Sequence, residues 1–271
     1  MRRLFFLVLA GGTTQAAAQR LDYEPVTDDT LAATAQLAYQ AVDTPDAAVD
    51  ATDPSRKPKW LQWALLDRFE YAAQSRRDGY AWDFSALVGG NRHRLWLGTS
   101  GDGPAVGRPE YVELAALYSH HIGNGPVDLN AGLRVDARPR PTRTYGAVGA
   151  QFDDEKGHWL GGWAYVSHKG ELSARLAGYF DQPLWKDAPL VVQPSAEVDY
   201  FGQDVAELGL GRGLGYAEAG LRLRYEFEDG KFAPYVGLSW SSDLGRTARM
   251  TREEGDDPET KSLVMGVRSS F

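Results

Sequence analysis

Tyr216-Ala-Glu-Ala-Gly-Leu-Arg-Leu-Arg-Tyr-Glu-Phe227 decides the fold. Glu218, Gly220, Arg222, Arg224 and Glu226 fall on one side of this stretch. Ala217, Ala219, Leu221, Leu223, Tyr225 and Phe227 fall on the other. A period of two belongs to a β-strand, whose successive side chains point to opposite faces. The pattern recurs in Val127–Ala137, where Asp128, Asn130, Gly132, Arg134 and Asp136 oppose Val127, Leu129, Ala131, Leu133 and Val135. It recurs again in Leu190–Phe201, where Gln193, Ser195, Glu197 and Asp199 oppose Val192, Ala196, Val198 and Tyr200. Strands of this kind suit a transmembrane β-barrel, with apolar residues on lipid and charge in the lumen.

The N-terminus reads as an export signal. Arg2 and Arg3 precede the apolar run Leu4–Gly12, and Ala16-Ala17-Ala18 fits a cleavage site. Residues 1–18 are therefore expected to be removed, leaving Gln19 first. The apolar run is too short to span a bilayer as a helix, and no later stretch is helix-length and apolar. The mean hydropathy of −0.41 suits a barrel, in which alternate residues avoid lipid.

Residues 19–59 have another character. They are rich in Ala, Asp and Thr and carry Pro25, Pro45, Pro54 and Pro58. They read as a periplasmic extension, disordered or with a short helix over Thr30–Val42; a plug entering the barrel is the alternative. From residue 60 to Phe271 the pattern predicts an all-β, antiparallel barrel of about 12 strands (roughly 10–14). They run over Leu61–Ala73, Tyr80–Gly89, Arg92–Thr99, Glu110–Ile122, Val127–Ala137, Thr144–Phe152, His158–Ser167, Glu171–Gln182, Leu190–Phe201, Leu214–Glu228, Phe232–Ser241 and Thr260–Phe271. The first is ambiguous, because adjacent Leu65 and Leu66 cannot both face lipid. Turns such as Gly89-Gly90-Asn91 and Asp229-Gly230 are hairpin chemistry on one end. Longer connections, among them Ser100–Pro109, Arg138–Arg143, Gly202–Gly213 and Ser242–Glu259, are expected outside. The 8 Trp, 13 Tyr and 10 Phe are expected largely at strand ends, as interfacial girdles.

Composition excludes several chemistries. With 0 Cys there is no disulfide framework and no thiolate site. A net charge of −8 argues against nucleic acid as a partner. Gly209-Leu-Gly-Arg-Gly-Leu-Gly215 opens a strand rather than a helix, so it lacks a dinucleotide-loop context, and turn or bulge glycines fit better. Ser119 and His121 share a face without an orienting partner, so an enzyme is not expected. Nothing points to an organic cofactor.

Two groups of residues could carry function. Glu113, Arg134, Asp136, Arg175, Glu197, Asp199, Glu218, Arg222, Arg224 and Glu226 form a predicted lumen charge network. It would either brace the barrel as ion pairs or line a solute path. The metal candidates are His120, His121, His168 and Met250. His120 and His121 point to opposite faces of a regular strand, His168 sits in a turn, and Met250 lies in the longest outside loop. Met265 falls on an outward face. The acids Glu253, Glu254, Asp256, Asp257 and Glu259 match no EF-hand spacing and read as a solvated loop.

Several stretches carry a family resemblance. They include Leu65-Leu-Asp-Arg-Phe-Glu-Tyr71, Arg94-Leu-Trp-Leu97, Ala131-Gly-Leu-Arg-Val-Asp136 and Arg138-Pro-Arg-Pro-Thr-Arg143. Others are Glu218-Ala-Gly-Leu-Arg-Leu-Arg-Tyr-Glu226, Phe232-Ala-Pro-Tyr-Val-Gly237, Gly245-Arg-Thr-Ala248 and Gly266-Val-Arg268. In order and spacing the chain from Trp60 to Phe271 resembles the outer-membrane copper resistance protein B family. The resemblance implies a Gram-negative outer-membrane barrel linked to copper tolerance, by copper binding or by helping copper leave the periplasm. Lipid, the barrel-assembly machinery (through the C-terminal strand) and periplasmic copper proteins are the implied partners. Members commonly carry a Met/His-rich segment before the barrel; Gln19–Lys59 contains neither residue.

Overall fold

Alternation closes into a wall with two unlike faces. The computed structural model describes residues 61–90, 92–154, 156–186, 188–227 and 230–271. The expected signal peptide, the 19–59 extension and its Thr30–Val42 helix lie outside these residues.

The strands are β1 (Leu61–Gln74), β2 (Gly79–Gly89), β3 (His93–Pro104), β4 (Tyr111–His121), β5 (Val127–Arg138), β6 (Arg143–Asp153) and β7 (His158–Ser167). They continue as β8 (Leu172–Phe180), β9 (Gln182–Pro183), β10 (Leu190–Phe201), β11 (Gly213–Tyr225), β12 (Phe232–Asp243) and β13 (Glu259–Ser270). Helix α1 spans Gly245–Glu253. Neighbours pair antiparallel, β13 returns to β1, and β8 and the two-residue β9 share one position against β10. The result is a closed antiparallel barrel of 12 strands, and closure leaves no unpaired edge. At the seam Ala64 and Phe271 exchange backbone hydrogen bonds of 3.2 and 2.8 Å.

The predicted faces hold. On β11, Leu221, Leu223 and Tyr225 are exposed outward, whereas Arg222 and Arg224 are buried within. On β5, Leu129 is exposed while Asp128, Asn130 and Arg134 are buried. A β-bulge resolves the ambiguous first strand. The register of β1 shifts between Leu66 and Arg68 against β2, and between Leu66 and Phe69 against β13. One extra residue flips the phase that follows it. Leu65 lines the lumen before the bulge, adjacent Asp67 and Arg68 both line it, and Glu70 is buried beyond. Phe69 and Tyr71 are exposed outside.

Some expectations are corrected. The third strand continues through Pro104, so Ser100–Pro104 are ladder rather than loop. The predicted strand Glu171–Gln182 breaks at Asp181, and Glu171 precedes β8. Only 202–212 and 244–258 are long connections; those at 105–110 and 139–142 are short. The girdle reading is also incomplete: Trp63, Trp96, Trp159 and Trp163 line the lumen cavity instead of facing lipid.

The two long connections pack on each other. A short 3-10 turn, Ala206–Leu208, ends on Gly209 in the left-handed region, at φ 62°. Phe201, Val205, Leu208 and Leu210 make a small apolar core there. The Gly211 amide donates to Thr247 Oγ1 (3.0 Å), and a Cβ at 211 would lie 2.5 Å from the Thr247 amide. The glycines of 209–215 thus let a loop approach the first turn of α1. Among the described residues no helix is long and apolar enough to cross a membrane.

Candidate functional site

The lumen holds a partnered charge lattice. Burying a lone guanidinium or carboxylate is costly, so inward charges need partners across the bore. Around Arg134 and Arg175 this is met several times over. Arg134 lies 3.1 Å from Glu113 and 2.7 Å from Asp136. Arg175 lies 3.0 Å from Glu113, 3.3 Å from Glu197 and 2.8 Å from Asp199. The Tyr111 hydroxyl donates to Glu113 (2.6 Å), and Arg134 sits 4.7 Å above the Tyr165 ring. The strands β4, β5, β8 and β10 are thereby cross-braced.

A second cluster ties β1 to β12 and β11, two and three strands away around the barrel. Glu70 on β1 accepts from Arg222 (3.2 Å) and from the Tyr235 hydroxyl (3.0 Å). Arg68 reaches Glu218 at 3.2 Å. Arg224 pairs with Asp181 (2.7 Å) and Glu226 (3.0 Å), and Arg268 with Asp67 (2.9 Å). All ten predicted network residues are therefore in ion pairs. Sequence reading missed Asp67, Arg68, Glu70 and Asp181. Asp67 is the bulge residue and Arg68 and Glu70 follow it, which one-dimensional alternation cannot place, and Asp181 sits at a strand break. Between the clusters remains a cavity of about 210 Å3, lined in part by Trp96, Trp159 and Trp163.

At the end bearing the long connections, Arg143 bridges Glu171 (3.0 Å) and Glu207 (2.6 Å), and Lys169 reaches Glu207 at 2.9 Å. Hydrogen bonds from Arg143 and then Lys169 hold the Glu207 carboxyl below the ordinary glutamate range. Partial burial pushes Glu171 up, but the Ser167 hydroxyl and Arg143 outweigh it, so Glu171 too is held low.

The metal candidates are dispersed. His120 and His121 end β4 at the short-turn end, whereas His168 follows β7 and Met250 lies in α1 at the other. His121 faces the lumen, where Nδ1 lies 2.7 Å from Asp128, itself bonded to Arg94. His120 faces outward beside His93, with ring centroids 4.9 Å apart. His168 is exposed, and Met265 points outward. Among the described residues no three His, Cys, Asp or Glu side chains converge as a metal set. Tight Cu(I) sites need convergent soft donors; Met250 and Met265 are on separate elements, and the chain has no Cys. The donors present do not fit a tight Cu(I) site.

A closed wall of amphipathic strands, apolar outside and charge-paired within, defines an outer-membrane β-barrel protein. The particular family follows from the comparison with known proteins. Residues 60–271 match the family model described as "Copper resistance protein B precursor (CopB)", and the chain belongs to that family. It is 36% identical over 213 residues to Copper resistance protein B of Escherichia coli, covering 76% of this chain and 68% of that protein. It is 32% identical over 262 residues to the Copper resistance protein B homolog of Pseudomonas syringae pv. tomato (strain ATCC BAA-871 / DC3000), covering 96% and 83%. Among solved structures the NanC porin aligns with a TM-score of 0.49 at 14% identity, covering 76% of this chain and 98% of that one. The KdgM porin aligns with a TM-score of 0.46 at 13% identity, covering 77% and 99%.

Proposed function

We propose that this protein is a non-enzymatic outer-membrane barrel that supports copper tolerance, handling copper as cargo, weakly or together with periplasmic copper proteins. Membership of the copper resistance protein B family across the whole barrel carries this reading. The donor inventory supports weak rather than tight handling, because soft ligands do not converge. Insertion would use the barrel-assembly machinery through β13 and the outward Phe271. Deleting the gene and restoring it on a plasmid tests the function. Growth across a copper series should change on deletion and recover on restoration. Identical growth at every copper concentration would overturn the reading.

A second reading rests on the ion-pair lattice. A bore crossed by Arg134, Arg175 and Arg222 with their carboxylates suits a braced, filled barrel better than a wide general pore. Single-channel recording separates the two: a filled lumen gives little steady conductance, and a general solute pore gives a stable ohmic one.

A further inference from the structure

We propose that the lumen cavity binds a small organic cation of the quaternary-ammonium class. The inference goes beyond copper tolerance and does not depend on it. At about 210 Å3 the cavity is smaller than pockets for drug-sized ligands, so it suits one compact solute. Its lining reaches the short-turn rim, where Trp63 stands near the start of β1, Asp153 ends β6 and Trp159 lies near the start of β7.

One side of the cavity is aromatic. The rings of Trp159 and Trp163 are 5.9 Å apart, and Trp159 stacks on Tyr179 at 5.6 Å. Trp163 lies flat on the wall. A Cβ at Gly149 would fall 2.3 Å from one end of its indole, and a Cβ at Gly161 2.1 Å from the other. Glycine at both positions lets the ring press on backbone and turn its second face to the bore. Indole faces are the best aromatic partners for a cation. The barrel already uses tyrosine faces this way, with Arg134 over Tyr165 and Arg268 over Tyr179. Among the described residues no guanidinium covers Trp159 or Trp163.

The charges choose the sign of the ligand. Six carboxylates and four guanidiniums line the cavity. All four guanidiniums are engaged: Arg68 by Glu218, Arg134 and Arg175 by Glu113, and Arg222 by Glu70. None is left over for an anion, and the surplus is negative, which draws cations into the bore. Asp153 stands directly opposite Trp159 in the ladder, so an acid and an indole share one face. A metal ion would need converging ligands, and among the described residues no three His, Cys, Asp or Glu side chains converge. A bulky, weakly hydrated ammonium needs only faces and a nearby negative charge.

The test uses the mature chain, tag-free and folded in a polyoxyethylene detergent, which carries neither ammonium nor sugar. Choline is titrated by calorimetry and by tryptophan fluorescence. One choline per chain should bind, and its uncharged isostere 3,3-dimethylbutan-1-ol should bind about tenfold more weakly or worse. Trp159→Leu and Trp163→Leu should each weaken choline about fivefold. Asp153→Asn should weaken it about threefold, an effect that shrinks with added salt. Trp240→Leu, on the outer wall, should leave the affinity within twofold. Gel mobility of the unheated protein confirms folding, and Asp153→Asn at its exposed position keeps the test open if a tryptophan variant fails to fold. Absent choline binding, equal affinity for the isostere, or unchanged affinity in the folded lumen variants would overturn the site. Tighter binding of glucose than of choline would assign the aromatic wall to a sugar and overturn it as well.

Discussion

Glu70 and Arg222, 152 residues apart in sequence, meet at 3.2 Å inside the barrel. Glu70 stands on β1 just beyond the bulge, and Arg222 comes from β11, three strands away around the barrel. Both are buried, and the pair is satisfied from a third side by Tyr235.

Removing one member should therefore cost more than its contacts alone suggest. Glu70→Ala or Arg222→Ala leaves a buried charge short of its partner, a loss of roughly 3–5 kcal/mol for pairs of this kind. The double variant should cost less than the sum, with a coupling of about 0.5–3 kcal/mol. Urea unfolding in lipid or detergent, followed by tryptophan fluorescence, measures this. Strictly additive losses would count against the pair.

The Arg143–Glu171–Glu207 bridge makes the long-connection end acid-sensitive. Both carboxyls titrate lower in the folded chain than in the unfolded one. Their contribution is thus present above the ordinary glutamate value, about 4.3, and is lost as pH falls through it toward the folded value. Limited proteolysis of the 202–212 connection should accelerate over that window in the native chain. Glu207→Gln should cut faster at neutral pH and respond less to acid. A cleavage rate flat from neutrality to pH 3 would refute the assignment.

Phe271 should matter for assembly more than for final stability. The residue is 74% exposed, whereas its backbone closes the seam with Ala64. Phe271→Ala keeps both backbone hydrogen bonds and removes only the outward ring. The folded yield in the outer membrane should drop severalfold, while the unfolding midpoint of molecules that do fold stays within experimental error. An equal yield for both proteins would remove Phe271 from the insertion signal.

Cu(I) should bind no tighter than micromolar order, about 8 kcal/mol. Met250 and Met265 sit on separate elements, and no cysteine exists to supply thiolate. A competition titration of the purified mature chain with a Cu(I) chromophore checks this. Stoichiometric nanomolar binding would show that groups distant in sequence converge after all.

Much of the fold was legible from sequence because burial in a barrel wall writes itself as a period of two. Val127–Ala137 and Tyr216–Phe227 declare both their strand character and which residues face inward, since lipid and lumen select opposite side chains at alternate positions. The inward charges were legible for the same reason. Their partners were not. Alternation alone offers Arg222 and Arg224 the inward Glu197 and Asp199 of the preceding strand. Instead Arg222 stands opposite Gln193 and crosses to Glu70, Arg224 reaches Asp181, and Arg175 takes both Glu197 and Asp199.

By itself, then, the sequence determined most strand positions, the faces of the regularly alternating strands and the lack of thiolate chemistry, because these depend on local alternation and composition; the family came from the resemblance of stretches such as Glu218–Glu226. Only the tertiary structure decided the bulge at Asp67, the closure of β13 on β1, the arginine partners and the pairing of His93 with His120. Those depend on register, and register is a relation between strands far apart in the chain, which no period within one strand encodes.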